Sequence, residues 1–204
     1  MSKFETPEGA TPIDDADGLL IPAENMADLS AAESENVLKA TTKRLGRRNN
    51  PKRQWLNEEL IRTVHAEMYG DVWEWAGRYR EVELTIGIPH YRIREEIKKL
   101  CDDVWFWDSK ATAPPSVLER ACRLHHRLAW IHPFRNGNGR HARLISDMYL
   151  HAHGQPLPTW PSRDIAQKGG VRDDYLSALR AADKDDFEPL AELLTRFSPR
   201  PEEQ

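Results

Sequence analysis

The chain has 204 residues, of which 39% are hydrophobic and 30% are charged, and its formal net charge is −4. This length suits one domain that needs no disulfide or structural metal. The negative charge argues against direct nucleic-acid binding, and no apolar stretch approaches the 18 residues that suggest a membrane span. The N-terminus lacks a secretory signal pattern, and Cys101 and Cys122 are predicted to be buried thiols. A cytoplasmic protein without membrane contact is expected.

The N-terminal part of the chain combines a polar segment with one helical pattern. Residues 1–28 are rich in proline and acidic residues, which predicts an extended arm. A helix is predicted over 29–45, with Asp28 and Ser30 as candidate N-caps. Basic residues gather just after it, up to residue 48, where the helix dipole favours positive charge. The chain is therefore divided into the arm, a helical segment at 29–48, a main domain at 50–198 and a tail at 199–204.

Residues 79–93 differ in periodicity from the rest of the chain. Val82, Leu84 and Ile86 alternate with polar residues, and this alternation predicts a short β-hairpin. Elsewhere the apolar residues recur at helical spacing. Helices are predicted over 57–69 (with Asn57 as N-cap), 94–108, 116–130, 138–153, 171–182 and 186–197. The predicted fold class is therefore all-α with one hairpin.

Residues 132–143 carry a pattern suited to phosphate chemistry, His-Pro-Phe-Arg-Asn-Gly-Asn-Gly-Arg-His-Ala-Arg. The imidazole of His132 can accept a proton near neutral pH. Glycines allow backbone N–H groups to converge on an anion, and the start of a helix adds partial positive charge there. Two arginines three residues apart can clamp a polyphosphate. The predicted ligand is a nucleotide, and its predicted binding residues are Gly137, Asn138, Gly139, Arg140 and Arg143.

This run resembles the signature of the Fic family, His-x-Phe-x-(Asp/Glu)-Gly-Asn-Gly-Arg-x-x-Arg, and matches seven of its eight specified positions. Upstream, residues 75–80 (Trp-Ala-Gly-Arg-Tyr-Arg) resemble the segment that leads into the Fic flap. The resemblance extends over the main domain, and the chain also resembles the subgroup called mobile mystery protein B. It implies a Fic-type helical bundle with a short β-hairpin flap.

The resemblance implies a protein adenylyltransferase, which moves AMP from ATP to a Ser, Thr or Tyr hydroxyl of a target protein. His132 would deprotonate that hydroxyl. Arg140 would face the α- and β-phosphates of ATP, and Arg143 would face the γ-phosphate. Phe134 is expected to be a hydrophobic peg under the loop, and His141, between the two arginines, is expected to be exposed.

One position departs from the family pattern. Asn136 stands where the family has Asp or Glu, which holds Mg²⁺ between the α- and β-phosphates. An amide oxygen can still coordinate Mg²⁺, but it lacks the charge attraction of a carboxylate. Asn136 is therefore a weak metal candidate, and a weaker dependence on Mg²⁺ or a lower turnover is expected.

The flap implied by the resemblance has two interpretations. In Fic proteins it pairs with an extended segment of the target by β-addition, which uses unsatisfied hydrogen-bonding groups at a strand edge. In the alternative interpretation the hairpin only packs on the helices. The candidate flap residues are Thr85, Ile86, Gly87 and Ile88.

The helix at 29–45 resembles an inhibitory element. Many Fic proteins carry the motif (Ser/Thr)-x-x-x-Glu-(Gly/Asn) on a helix whose glutamate pairs with the second signature arginine and displaces the γ-phosphate. Glu35 and Asn36 match the last two positions, while Ala31 occupies the Ser/Thr position. Autoinhibition through a pair between Glu35 and Arg143 is therefore expected.

Other functions remain open on the same fold. Related Doc toxins are kinases and have a lysine where this chain has Gly139, so the glycine favours AMP transfer. Removal of AMP from a target is a further possibility within the family. From another class, a catalytically silent nucleotide-binding or protein-interaction module is suggested by Asn136. The oligomeric state is open as well, and a homo-oligomer is compatible with the sequence.

Overall fold

The computed structural model describes residues 18–51, 54–109, 112–161, 165 and 169–199. Most of the predicted arm (residues 1–17) and of the tail (200–204) lies outside them. The described residues contain seven α-helices, each close to a predicted one: α1 (Met26–Leu45), α2 (Glu58–Tyr69), α3 (Ile93–Ser109), α4 (Val117–Ile131), α5 (Asn138–Ala152), α6 (Val171–Ala182) and α7 (Glu188–Phe197). The predicted all-α class is confirmed, and none of these helices is long and apolar enough to cross a membrane.

The helix N-termini show why the predicted boundaries are nearly right. Asn57 caps α2 as predicted, because its side chain accepts a hydrogen bond from the Leu60 N–H at 2.8 Å. The prediction for α1 is wrong at its start. Asn25 is the N-cap and accepts from the N–H groups of Ala27 and Asp28. The helix therefore begins before both predicted caps, because Asn25 supplies the capping oxygen, and Asp28 lies within the first turn.

The fold is organised around α5, which packs against α1, α2 and α4. A helix in contact with neighbours on several sides is buried on more than one face, and most residues of α5 are buried. Its polar residues therefore need partners inside the protein. The largest fully buried side chains of the described residues are those of Trp73, Tyr69, Tyr149, Phe134, Leu29, Leu56, Ile61, Met68, Ile93, Ile97, Leu100 and Leu124.

The described end of the predicted arm is held against the chain that follows α2. Leu19 and Trp73 form an isolated antiparallel bridge. The Leu20 N–H donates to the carbonyl of Val72 at 2.8 Å, and the Glu74 N–H donates to the carbonyl of Gly18 at 2.7 Å. These bonds place the segment that enters α1 next to the segment that leads into residues 79–93.

Residues 79–93 contain no β-strand, so the predicted hairpin is wrong as secondary structure. The physical reason is Arg80, whose side chain is fully buried. Its guanidinium donates to the carbonyl oxygens of Val82, Ile88 and His132. The carbonyls of Val82 and Ile88, which lie in the predicted hairpin, are thus satisfied by one side chain and not by a β ladder. The segment is a loop folded around Arg80, and it ends in a 3-10 turn at His90–Arg92.

Candidate active site

The loop between α4 and α5, residues 132–137, carries the predicted base. His132 ends α4 with φ 53° and ψ 60°, a left-handed conformation that is uncommon for a residue with a side chain and concentrates at functional sites. Its Nδ1 lies 3.3 Å from the carbonyl oxygen of Ala129. Because a carbonyl only accepts, Nδ1 carries the proton and Nε2 carries the lone pair. Burial lowers the pKa of His132 to about 4, so the ring is neutral at pH 7.

The loop is shaped by two side chains. The Oδ1 atom of Asn138 accepts from the Phe134 N–H at 2.9 Å, and its Nδ2 donates to the Phe134 carbonyl at 2.8 Å. The Phe134 ring is fully buried and stacks on His65 with 3.7 Å between ring centroids. His65 accepts from the Gly77 N–H and donates to the Asn136 carbonyl, each at 3.0 Å. The prediction that Phe134 is a hydrophobic peg is confirmed, and the side chain of Asn138 faces the loop.

Two histidines, His65 and His141, lie buried inside the site, which the sequence did not predict. His141 was predicted to be exposed, and this is wrong: it is fully buried and its Nε2 lies 2.9 Å from the Ile61 carbonyl. Burial lowers the pKa of His141 to about 4 and that of His65 well below its usual range. Neutral rings can both donate and accept, which suits buried backbone partners. His65 was not predicted at all, and its only sequence signal is a polar residue within the apolar stripe of α2.

The start of α5 has the geometry of an anion-binding site. Gly137 is the N-cap, with φ 75°, and a Cβ atom there would lie 2.5 Å from the Tyr69 ring. Only glycine fits both conditions. The N–H of Gly137 is already bonded to the Oδ1 atom of Asn136, at 2.7 Å. The N–H groups of Asn138, Gly139 and Arg140 precede the first intrahelical bond, made by the next residue, and are the ones that a phosphate can meet.

The first signature arginine is held by α1. Arg140 donates to Oε2 of Glu33 at 2.6 Å, and its guanidinium lies 5.1 Å from the centroid of the Tyr69 ring. The other oxygen of Glu33 accepts from the indole N–H of Trp73 at 2.8 Å. Although burial alone lowers the pKa of Arg140, its neighbours Tyr69 and Glu33 raise it above the usual value. The arginine therefore stays charged, and its charge is balanced by a buried carboxylate.

The predicted pair between Glu35 and Arg143 is wrong. The Glu35 side chain is 68% exposed and pairs with Lys39 at 2.7 Å. Residues two positions apart on a helix face nearly opposite sides, so Glu33 and Glu35 cannot both point at α5. Asn36, three residues after Glu33, shares its face and is buried. The structure thus selects Glu33 and Arg140 as the pair between α1 and the signature.

The loop at 79–89 covers the base. Gly87 has φ 99°, and a Cβ atom at this position would lie 2.6 Å from the Cβ of His132. Glycine is required here because the two backbones approach so closely. Of the other predicted flap residues, Thr85 is exposed, Ile86 is half-buried and Ile88 is buried. The structure therefore brings the predicted flap and the predicted base together without a β ladder.

The described residues contain no group of three or more His, Cys, Asp or Glu side chains that could hold a metal ion. Asn136 is half-buried at the start of α5. Its Oδ1 atom accepts one hydrogen bond and keeps a second lone pair. A metal at this position would need oxygen ligands from a bound molecule in addition to this one amide.

The chain is similar in sequence to a known family and to several named proteins. The model of the Fic/DOC family matches residues 55–150. The chain is 30% identical over 128 residues to a protein named protein adenylyltransferase fic-1 from Caenorhabditis elegans, a match that covers 60% of this chain and 23% of that protein. It is 31% identical over 110 residues to a Fido domain-containing protein of Dictyostelium discoideum, covering 53% of this chain and 72% of that protein.

A solved structure shares the fold. BepC, a VirB-translocated effector protein of Bartonella tribocorum crystallised with bound AMPPNP, superposes with a TM-score of 0.67 at 18% identity and covers 95% of both chains. The chain spans about a quarter of the length of the nematode protein named above. The match to the family model spans the region that carries α2 to α5 and the signature loop.

The pKa of His132 can be measured directly. In an NMR titration its ring should change protonation state near pH 4, because the folded protein buries it; a His132→Gln variant identifies the resonance. An unfolded histidine titrates near pH 6.5. The neutral ring's contribution to the free energy of unfolding is therefore complete above pH 6.5 and is lost as the pH falls towards 4. A midpoint near 6.5 in the folded protein would contradict the burial of this base.

Proposed function

The chain belongs to the Fic/DOC family, and on that premise we propose that it is a protein adenylyltransferase that moves AMP from ATP to a hydroxyl group of a target protein. The observation that carries the proposal is a neutral imidazole, His132, one short loop away from a helix N-terminus with two arginines. The name of the nematode relative and the AMPPNP complex of BepC support ATP as the donor.

In the proposed reaction, Nε2 of His132 removes the proton of the target hydroxyl. The resulting oxygen attacks the α-phosphorus of ATP and forms a phosphoester bond. The bond between the α-phosphorus and the bridging oxygen breaks, and pyrophosphate leaves with that oxygen. The N–H groups at the start of α5 and the guanidinium groups of Arg140 and Arg143 balance the charge that develops on the phosphates.

We propose that the reaction uses Mg²⁺ and that the phosphates of the nucleotide supply most of the ligands of this ion. The described residues offer it one amide oxygen, that of Asn136, and no carboxylate cluster. A bound Mg²⁺ would neutralise phosphate charge and hold the α- and β-phosphates in place. The substitution of an amide for an acid lowers the affinity of the protein for the ion and leaves the base and the helix N-terminus unchanged.

The loop at 79–89 is proposed to be the target-binding flap. The backbone of Thr85, Ile86 and Gly87 takes part in no β ladder, so an extended segment of a target can pair with it. Gly87 lies against His132, so a hydroxyl on that segment would be presented near the base. The buried guanidinium of Arg80 fixes both ends of this loop and the carbonyl of His132 together.

The N-terminal helix is proposed to restrain the reaction through Glu33. Its carboxylate forms an ion pair with the guanidinium of Arg140. In the proposed reaction this guanidinium binds the phosphates of ATP. The nucleotide must displace Glu33 before Arg140 can bind it. Removal of one partner from a buried pair leaves an unpaired charge, so the exchange is favourable only when a phosphate replaces the carboxylate.

A cytoplasmic location is proposed from the cysteines. Cys101 and Cys122 are buried free thiols, and burial raises the pKa of each to about 12. Both thiols therefore stay protonated and unreactive, as is usual for structural cysteines in a reducing compartment.

The transferred group can be identified with ATP labelled at either the α- or the γ-phosphate. Protein labelled only from the α position is expected, and His132→Ala should lower the rate by about 100-fold or more because the general base is lost. Label from the γ position alone would mean a kinase. No label from either, with the nucleotide still bound, would mean a silent binding module.

The dependence on magnesium can be read from a titration of the AMP transfer rate. Asn136→Asp should lower the Mg²⁺ concentration for half-maximal rate by about fivefold or more, because one added charge at about 4 Å contributes about 1 kcal/mol even in water. Asn57→Asp is the matched control, since it makes the same change at an N-cap outside the site. An unchanged titration for Asn136→Asp would show that this side chain does not approach the ion.

The restraint by α1 can be tested with two glutamates of the same helix. Glu33→Ala should raise the ATP affinity and the rate of self-modification on the order of tenfold, since a charged hydrogen bond that opposes binding is removed. Glu35→Ala makes the same change on the exposed face and should leave both unchanged. Lower activity together with a lower free energy of unfolding in Glu33→Ala alone would instead identify a purely structural pair.

A further inference from the structure

The two signature arginines have different surroundings. Arg140 pairs with a carboxylate, whereas the guanidinium of Arg143 lies 5.6 Å from the ring centroid of Trp160 and 5.6 Å from that of Tyr175. The two rings meet edge to face, at 80° with 6.4 Å between centroids. A cation between two ring faces is attracted by both quadrupoles. Trp160 and Tyr175 are called the aromatic clamp below.

Each ring of the aromatic clamp is anchored on a buried polar side chain. The indole N–H of Trp160 lies 3.1 Å from both carboxylate oxygens of Asp147, one turn after Arg143 on α5. The hydroxyl of Tyr175 is hydrogen-bonded to Nε2 of His125, on α4, at 2.9 Å. Asp147 and His125 are 6% and 0% exposed, so neither anchor is free to reorient in solvent. The rings are therefore fixed relative to α4 and α5.

The aromatic clamp holds the guanidinium near the start of α5. A Cβ atom at Gly139, the second residue of the helix, would lie 3.8 Å from Nη1 of Arg143 and 3.9 Å from the hydroxyl oxygen of Tyr175. The side chain of Arg143 thus extends back along the helix towards its N-terminus. The N–H groups expected to meet a phosphate and the donors of Arg143 converge on the same end of the helix.

We propose that Trp160 and Tyr175 are positioning residues that hold the Arg143 guanidinium in the orientation that binds the terminal phosphates of the nucleotide. A guanidinium binds phosphate through a fixed fork of donors, so its orientation matters as well as its charge. An arginine held between rings loses less freedom on binding than a mobile one. Both rings lie after residue 150, where the match to the family model ends, so the clamp is supplied by the C-terminal part of this chain.

The inference rests on the proposed function, because it assigns Arg143 to the phosphates beyond the first. Loss of one ring should raise the Kd for ATP about 3- to 10-fold, from the cost of ordering one long side chain. The Kd for AMP should not change, because AMP lacks the phosphates that Arg143 contacts. A ring that merely supports the fold would affect both nucleotides alike.

The experiment measures Kd values of ATP and AMP by calorimetry for the full chain and four variants. Tyr175→Leu and Trp160→Leu remove one ring each and should weaken ATP binding alone. Tyr175→Phe keeps the ring but loses its anchoring bond to His125, so it should weaken ATP binding less than Tyr175→Leu does. The matched control is Phe187→Leu, which removes a ring 4.4 Å from Arg123 outside the site and should change neither value.

The outcomes separate the two proposals. Unchanged ATP affinity in both leucine variants, or an equal loss for ATP and AMP, overturns the positioning role and leaves the proposed function intact. Because Tyr175 is buried and its truncation can destabilise the fold, the half-buried Trp160 gives an independent reading. Absence of ATP binding by the parent chain would overturn the proposed function and the clamp together.

Discussion

The closed loop between α4 and α5 is the constraint on which the rest of the site depends. Asn138 ties both backbone groups of Phe134, and the Phe134 ring stacks on His65. This fixes the loop from inside the protein, so that the left-handed backbone at its first and last residues can persist. The loop therefore fixes where the imidazole of His132 lies relative to the N–H groups of α5, which the proposed reaction between a hydroxyl and a phosphate requires.

The charges of the two signature arginines are balanced in different ways. The positive charge of Arg140 is neutralised by Glu33, which in the proposed function a phosphate has to replace. Arg143 is stabilised by two rings that a phosphate need not displace. In the proposed function, Arg140 binds the nucleotide only after Glu33 has left it, whereas Arg143 binds without such an exchange. The protein environment also sets the state of His132, because burial keeps the ring neutral and able to accept a proton at physiological pH.

Buried neutral histidines are a structural theme of this protein. His65, His125 and His141 are fully buried, and each bonds a backbone or hydroxyl group that could not be satisfied by water. An imidazole can donate from one nitrogen and accept at the other, so it joins two segments that are distant in sequence. His65 joins the turn at Gly77 to the signature loop in this way. Arg80 joins two segments through its guanidinium in a similar way, since it bonds the loop at 79–89 to the carbonyl of His132.

The sequence alone determined the helices, the signature and the family, because these depend on local spacing: apolar residues every three to four positions, N-caps next to them, and a glycine-rich loop before two arginines. Choices that depend on which helix face meets which neighbour needed the tertiary structure. Whether Glu33 or Glu35 points inward is set by the rotation of α1 against α5. Residues 79–93 form a loop and not a hairpin because the Arg80 guanidinium bonds their carbonyls. The aromatic clamp combines Trp160 and Tyr175, which come from a region without a recognisable motif. Long-range packing decides these contacts, because each brings together side chains that are far apart in the chain.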